Sequence, residues 1–303
     1  MTQRPIVVAT DFSDCGSAAV TRATRLAAAL RAPLRLLHVA TPGGFNALLY
    51  PQGPTAWRQE VLTRAREALA VVAARCREEL AQAGAADVPV EAEVRDGVPV
   101  VEIADDADAA DARLLALGVR ASGTWADALI GSTTDRVLSK ATRPVLVVRR
   151  PAAGPYQRIG VGVDFSDYAQ PALGWAQALA QATPGATLEL VHAQEPLVDG
   201  GLPYAPVDSR LLRQHADAER AQAVQALGDL AAARGLEPGK TVRCEVAEGV
   251  PRQVLTELSR SGLDLLVVGK HGRSRIEEWL LGSVTRHVLS HAGCDVLVTG
   301  PRD

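Results

Sequence analysis

The sequence of 303 residues has few aromatic side chains and few cysteines. Phe, Trp and Tyr together make up 4% of the chain, so a buried core has to be built mainly from Ala, Val and Leu. The four cysteines, Cys15, Cys76, Cys244 and Cys294, form no C-x-x-C pair. This pattern excludes a disulfide framework and indicates reduced thiols in a cytoplasmic protein.

The chain also lacks a dominant charge and a long hydrophobic run. The net charge of −3 and the pI of about 6.1 give no reason to expect a nucleic acid or a membrane surface as a partner. No apolar run reaches the roughly 18 residues that would cross a bilayer, and the first residues lead directly into a strand, so we expect no signal peptide. The apolar fraction of 47% and the charged fraction of 22% are ordinary for globular proteins and exclude a disordered chain.

The sequence repeats itself once. Four pairs of matching segments follow one another in the same order in the two halves: IVVATDF at 6–12 and IGVGVDF at 159–165, DGVP at 96–99 and EGVP at 248–251, LLALG at 114–118 and LLVVG at 265–269, and GS at 131–132 and 282–283. A repeat of this length predicts two copies of one domain. We place the domains at 1–150 and 155–303, because RRPAAGPY at 149–156 has the composition of a linker.

Each half alternates short Val- and Leu-rich runs with longer Ala-rich stretches. The runs lie near 6–10, 34–39, 88–94, 112–117 and 144–149, and near 158–163, 187–192, 241–246, 264–268 and 295–299. Such runs are typical of parallel strands buried on both faces, and stretches such as 17–30, 61–83 and 210–234 favour helices. The alternation predicts an α/β fold of two repeated, doubly wound parallel sheets. Ligands of such sheets lie beyond the carboxyl ends of the strands, where the strand order reverses.

A glycine loop follows the fourth strand of the second half. The pattern G-x2-G-x9-G-[ST] is formed by Gly269, Gly272, Gly282 and Ser283. Glycines allow a close approach of the backbone and a positive φ, and a helix predicted over 284–291 would turn its free N–H groups toward an anion. The hydroxyls of Ser283 and Thr285 add donors. The loop therefore favours a bound phosphate, and the alternative is that its glycines only satisfy turn geometry.

The stretch GKHGRSRIEEWLLGSVTRHVLSHAGCDVLV at 269–298 resembles the C-terminal signature of the universal stress protein family. The DFSD after the first strand and the GVP before the third helix also fit, and the resemblance covers both halves. It implies that each half is a Rossmann-like, five-stranded parallel sheet of order 3-2-1-4-5 with helices on both faces. Many members of the family bind ATP at the glycine loop, whereas others lack the motif and bind none.

The resemblance implies a nucleotide site in the second half. Asp164, which ends the first strand, would lie beside the nucleotide, and its alternative role is an N-cap or turn residue. Backbone groups around Val191, His192 and Ala193 would meet the adenine, although His192 could instead serve only the end of its strand. The loop residues that would hold phosphates and ribose are Gly269, His271, Gly272, Arg273, Gly282, Ser283, Val284 and Thr285.

The first half departs from the glycine pattern. Ala121 stands where a glycine is required, and its Cβ disfavours a positive φ. We therefore expect weaker nucleotide binding here, or none. If this half does bind, the candidate residues are Asp11, Gly118, Gly131, Ser132 and Thr133.

Three other patterns imitate known sites and are rejected. The segment 235–241 resembles a Walker A loop, but it has three residues between its glycines where four are required, and it precedes a strand. The glycines of 160–162 lie inside a predicted strand without a third glycine, so they do not form a dinucleotide fingerprint. His287, His291 and Cys294 could imitate a metal site, but only the two histidines share a helical face, so we expect no metal.

The resemblance predicts an ATP-binding protein of the stress response, with or without Mg²⁺, that acts through nucleotide-dependent conformation or through an unidentified protein partner. The alternatives are an interaction module that is independent of nucleotide, and a slow ATPase. We expect no dedicated catalytic activity, because Asp164 is the only repeated carboxylate near the site. In the family the last strands of two units pair across a dimer. The segments 145–148 and 296–298 would pair in this way within one chain, and a further homodimer remains open.

Overall fold

The computed structural model describes residues 3–41, 55–119, 130–151, 153–196, 209–271 and 281–300. Contacts between Cα atoms divide the protein into two compact units, and the main change from one unit to the other falls between Pro155 and Tyr156. Both units are α/β structures, as the alternating sequence pattern predicts. Among the helices that the structure describes, none combines the length and the apolar character needed to cross a membrane.

In its described residues the first unit has five strands and four helices. In chain order they are β1 (Ile6–Ala9), α1 (Asp14–Leu30), β2 (Leu34–Ala40), α2 (Thr55–Gln82), β3 (Val90–Asp96), α3 (Pro99–Ala109), β4 (Leu114–Gly118), α4 (Ser132–Lys140) and β5 (Val145–Val148). The strand order is β3-β2-β1-β4-β5, and the pairings are parallel. This is the predicted order 3-2-1-4-5.

The described residues of the second unit repeat this arrangement. In chain order its elements are β6 (Arg158–Gly162), α5 (Ala169–Gln181), β7 (Thr187–Gln194), α6 (Ser209–Ala232), β8 (Val242–Glu248), α7 (Pro251–Arg260), β9 (Leu265–Gly269), α8 (Ser283–His291) and β10 (Asp295–Thr299). The strand order is β8-β7-β6-β9-β10, with parallel pairing of β6 with β7, β6 with β9, and β7 with β8. The chain therefore leaves the central strand β6 toward β7 and later returns to its other side at β9.

The repeated GVP segment is the turn from the third strand of each unit into the next helix. The N–H of Gly97 donates to the carbonyl of Ala40 (3.2 Å), and the N–H of Gly249 donates to that of Gln194 (2.9 Å). Helices α3 and α7 then begin with proline, whose fixed φ suits the first helical position and whose missing N–H has no partner to lose there.

The core consists mainly of aliphatic side chains, as the scarcity of aromatics predicts. Residues 6–8 of β1 and 265–267 of β9 are fully buried. On α1, Ala19, Ala23 and Ala27 are also fully buried, because short side chains on one helical face let the helix lie close to the sheet. Burial of these side chains is the main favourable contribution to the stability of each unit.

The predicted elements agree with the structure, apart from shifts of a few residues at their ends. Helix α1 begins at Asp14 rather than at residue 17, because the Ser13 side chain accepts a hydrogen bond from the N–H of Gly16 (3.1 Å) and so caps the helix earlier. The rejected motifs are also explained: 160–162 lies within β6, and 235–241 forms a turn that precedes β8.

Candidate functional site

A cavity of about 890 Å³ opens in the second unit at the carboxyl ends of β6, β7 and β9. These are the central strand and its two neighbours, so the cavity lies where the strand order reverses. The first turns of α5, α7 and α8 and one face of α6 complete the wall. The volume lies in the range of small-molecule sites.

The structure brings together the residues that the sequence predicts for the second half. Ten of them line this cavity: Asp164, Val191, His192, Ala193, Gly269, His271, Gly282, Ser283, Val284 and Thr285. The other two, Gly272 and Arg273, lie outside the described residues. Residues distant in sequence therefore share one wall of a single cavity.

Asp164 forms a turn at the end of β6. Its Oδ1 accepts hydrogen bonds from the N–H of Ser166 (3.0 Å) and from the hydroxyl of Ser166 (2.6 Å). Between them, Phe165 has a φ of 59°, in the left-handed region that non-glycine residues seldom adopt. Helix α5 begins only at Ala169, with Tyr168 as its N-cap, so Asp164 is a turn residue and not the N-cap.

His192 is held at the end of β7 by contacts on two sides. Its Nδ1–H donates to the carbonyl of Val163 (2.8 Å), and its ring lies 4.6 Å from that of Phe165 between centroids. A carbonyl can only accept, so this bond assigns the proton to Nδ1 and makes Nε2 an acceptor in the neutral ring. The side chain thus serves the strand end, as the alternative interpretation expects, and also lines the cavity.

Helix α8 presents its N-terminus to the cavity. The first hydrogen bond within the helix runs from the N–H of Arg286 to the carbonyl of its N-cap, Gly282 (2.9 Å). The N–H groups of Ser283, Val284 and Thr285 therefore precede the intrahelical bonds. They carry the positive end of the helix dipole, which favours an anion at this position.

The hydroxyl of Thr285 has a different role from the one predicted. It donates to the carbonyl of Gly269 (2.7 Å), so its proton ties α8 to the end of β9 and is not available to a phosphate. In the first unit Thr134 makes the corresponding bond to Gly118 (3.1 Å). The counterpart of Thr285 is therefore Thr134, whereas the predicted Thr133 corresponds to Val284.

Gly269 is needed for space rather than for a positive φ. Gly282 has a φ of −57°, and Gly269 is not among the described glycines with positive φ, so a positive φ is not the reason for glycine at either position. A Cβ on Gly269 would lie 2.6 Å from the Cβ of Tyr168, well inside the normal contact distance. Gly118 has the same constraint in the first unit, where a Cβ would lie 2.4 Å from the carbonyl oxygen of Cys15.

Gly269→Ala should destabilise the second unit by about 1–3 kcal/mol, because the added methyl forces β9 and α5 apart. Gly228→Ala is the matched control: nothing lies within 4 Å of its added Cβ in α6, and removing a helical glycine should stabilise by about 0.5–1 kcal/mol. Urea unfolding followed by circular dichroism measures both. Equal stability of the two variants would contradict the packing role of Gly269.

The first-unit candidates lie at equivalent places. Asp11 makes the same turn as Asp164, accepting from the N–H of Ser13 (3.0 Å) and from its hydroxyl (2.5 Å). Gly131 is the N-cap of α4 and Ser132 is its first residue. Ala121 lies outside the described residues, so the expectation of weaker binding stays a prediction.

Sequence reasoning missed the helical wall of the cavity. The residues concerned are Phe165, Tyr168, Glu219, Gln222, Ala223, Ala226, Pro251 and Leu255. Glu219, Gln222, Ala223 and Ala226 follow the spacing i, i+3, i+4, i+7, which is typical of one helical face. This spacing predicts that the four side chains share one face of the helix, but it does not predict that this face lines the cavity.

Lys270 and two histidines of α8 are further titratable residues of this region. Burial lowers the pKa of Lys270, which directly follows Gly269. His287 and His291 lie one turn apart on α8 with ring centroids separated by 4.3 Å. Within the described ranges, no three His, Cys, Asp or Glu side chains lie together as metal ligands.

Comparison with known proteins agrees with this fold and repeat. The model of the universal stress protein family matches the chain twice, at residues 3–149 and 155–300. A universal stress protein of Mycobacterium tuberculosis is 29% identical over 312 residues, covering 97% of this chain and 94% of its own. A universal stress protein of Mycolicibacterium smegmatis is 28% identical over 309 residues, covering 99% and 98%.

A solved structure shares the architecture over the whole length. The crystal structure of a universal stress protein from Archaeoglobus fulgidus has a TM-score of 0.72 and covers 99% of this chain and 100% of its own, at 20% identity. At that identity the likeness speaks for the fold alone. The double match of the family model goes further: this chain belongs to the universal stress protein family and contains two copies of its domain.

Proposed function

We propose that the second unit binds an adenine nucleotide, ATP, in the cavity at the carboxyl ends of β6, β7 and β9. The bound nucleotide would act in the stress response by favouring one conformation or one protein partner. The observation that carries the proposal is the meeting of three features in one cavity: the N-terminus of α8, the Asp164 carboxylate, and the end of β7.

The phosphates are assigned to α8. Three successive N–H groups at Ser283, Val284 and Thr285 precede the first intrahelical bond, and the Ser283 hydroxyl lies beside them in the wall. Backbone N–H groups and the helix dipole together favour several negative charges without requiring a basic side chain.

The base and ribose are assigned to the other end of the cavity. The backbone of residues 191–193 at the end of β7 offers donors and acceptors to the edge of a base, and His192 adds its Nε2 acceptor. The Asp164 carboxylate can accept from ribose hydroxyls. Together with phosphate oxygens it can also contribute to the oxygen shell that Mg²⁺ requires.

The state of the cysteine thiols supports a proposal about the cellular compartment of the protein. None of Cys15, Cys76, Cys244 and Cys294, all of them described in the structure, forms a disulfide, and three of them are buried. Burial raises the pKa of the Cys76 thiol, which makes it less reactive. We therefore place the protein in the reducing cytoplasm, where its partner, another protein or a second copy of the chain, would be found.

Isothermal titration of the full chain with ATP and Mg²⁺ should show one binding event per chain, because only the second unit carries the complete glycine pattern. Equilibrium dialysis against labelled ATP checks the stoichiometry independently. Circular dichroism confirms that the sample is folded. If a folded sample binds no ATP at millimolar concentration, the proposal fails, and the nucleotide-independent interaction module becomes the better description.

A further inference from the structure

Charged side chains face each other at one position in each unit, with opposite polarity. In the first unit Arg35 on β2 lies opposite Glu91 on β3, with a separation of 2.8 Å between Nη1 and Oε2. In the second unit Glu189 on β7 lies opposite Arg243 on β8, with a separation of 3.5 Å between Oε1 and Nε. The two units thus use the same kind of ion pair with the partners exchanged.

The strand registers show that these positions correspond. Ile6 and Ile159 are matching residues of the repeat, and they pair with Leu34 and Leu188 on the neighbouring strands. The next residue along is arginine in the first unit and glutamate in the second. The inversion therefore occurs at one structural position and does not result from a shift in register.

Additional contacts strengthen the polarity of each pair. Arg35 also contacts Glu93 on β3, and Arg243 contacts Glu245 on β8 at 2.7 Å. Glu93 and Glu245 occupy corresponding positions, two residues beyond the charged partner on their strands. Each edge strand thus carries the same glutamate, and the charge that changes sign between the two strands at the inverted position is Glu91 in β3 and Arg243 in β8.

A buried carboxylate adds a second difference on the helix that follows. Asp106 on α3 is 1% exposed in its side chain and pairs with Arg35 (2.9 Å) and Arg95 (2.6 Å). Helices α3 and α7 both begin with proline, and the residue seven positions later is Asp106 in one and Leu258 in the other. In the first unit an aspartate on α3 therefore pairs with the arginine on β2. In the second unit the corresponding position on α7 is a leucine.

We propose that this charge inversion prevents the two copies of the domain from exchanging their outer strands during folding. Placing β8 beside β2 in the native register would set Arg243 opposite Arg35. Placing β3 beside β7 would set Glu91 opposite Glu189. Like charges directly opposite each other destabilise a strand pair, whereas opposite charges stabilise it.

Exchange of strands is a particular risk for a chain that contains two copies of one domain. Two units with the same strand order, and with the same aliphatic pattern in their strands, can accept each other's elements in one chain or between two copies of the chain. Misassembly between domains and strand exchange are characteristic failures of repeat proteins. The apolar residues are similar in both units and cannot distinguish native from exchanged strand pairing. Charge is the property that can make this distinction.

The test exchanges the pair in the second unit, by the double variant Glu189→Arg with Arg243→Glu. Native pairing keeps opposite charges, and Glu245 stays beside the new arginine as Glu93 lies beside Arg35. The crossed pairings then also become favourable. After refolding from urea at rising protein concentration, size-exclusion chromatography should show about a three- to tenfold larger misassembled fraction than the wild type.

A cross-link reports the crossed pairing directly. In the native registers Leu36 lies opposite Ala92, and Cys244 lies opposite Leu190. Crossing β2 with β8 would bring position 36 beside Cys244. With Leu36→Cys introduced, oxidative refolding followed by mass spectrometry should find the 36–244 disulfide enriched by a similar factor in the double variant.

Two further variants keep the proposal open to refutation. Arg243→Lys retains the polarity and should match the wild type. Arg243→Gln, at an exposed position, removes the repulsion between arginines together with the native pairs to Glu189 and Glu245, but it creates no attraction to Arg35, so it should give a smaller rise in the cross-link. If the charge-exchanged variant keeps its native stability and gives no more cross-link than Arg243→Lys, the inversion has no role in sorting the strands.

Discussion

Gly282→Asp should weaken ATP binding at least about 100-fold while the second unit stays folded. The φ of −57° at this position is accessible to any residue, and the nearest atom to an added Cβ is the carbonyl oxygen of Lys270 at 3.2 Å. Aspartate is also a favoured N-cap, so α8 should gain a few tenths of a kcal/mol. Its carboxylate would accept from the N–H groups assigned to the phosphates, and its charge would repel them.

Isothermal titration compares this variant with a matched control, Gly131→Asp, which changes the N-cap of α4 in the first unit. If the second unit holds the nucleotide, the control keeps the wild-type Kd. Adenosine, which lacks phosphates, should bind both variants with similar affinity. An unchanged ATP affinity of Gly282→Asp would contradict the assignment of the phosphates to α8. A loss of affinity only in the Gly131→Asp variant would indicate that the nucleotide site lies in the first unit.

Asp106→Ala should lower the free energy of unfolding of the first unit by about 3 kcal/mol. The carboxylate is buried, and it accepts hydrogen bonds from Arg35 at 3.0 and 2.9 Å. Its hydrogen bond raises the pKa of Arg35, so that guanidinium stays charged. Removing Asp106 leaves Arg35 and Arg95 only the more exposed carboxylates of neighbouring glutamates, and deleting one partner is the costly way to break a buried ion pair.

Asp105→Ala is the matched control on the same helix, because Asp105 is an adjacent acid that is exposed to solvent. Its loss should change stability by less than about 0.5 kcal/mol. Thermal and urea unfolding of both variants separate the effects. Similar losses in the two variants would mean that α3 needs acidic charge in general, and not the ion pairs of Asp106.

The fold could be predicted because its signals are local and occur twice. Buried parallel strands require short aliphatic runs, and two such series in one order leave few topologies. The half of the site that follows strands was predictable for the same reason, since the carboxyl ends of β6, β7 and β9 have to meet at one edge of the sheet. Asp164 and Gly282 could therefore be placed without coordinates.

The rest of the site and the ion pairs depend on distances between helices and strands, and a single sequence does not contain these distances. The α6 side chains that line the cavity belong to a helix whose face is set by packing. For Gly269 the sequence could predict a close approach of the backbone only in general terms, because the contact between β9 and Tyr168, the N-cap of α5, has no sequence signature. The partners of Arg35 depend on strand register, which alternating charges on a strand do not determine.

The turn that follows the first strand has the same conformation in both units. Phe12 and Phe165 have φ values of 63° and 59°, and their rings lie against His38 and His192. Folding already places the chain in this conformation, so a ligand would meet the turn in its formed state and would lose no affinity to ordering it. The first unit is thus preorganised on this side as fully as the second. This turn should therefore not distinguish the nucleotide affinities of the two units, whereas Ala121 departs in sequence from the glycine pattern of the second half.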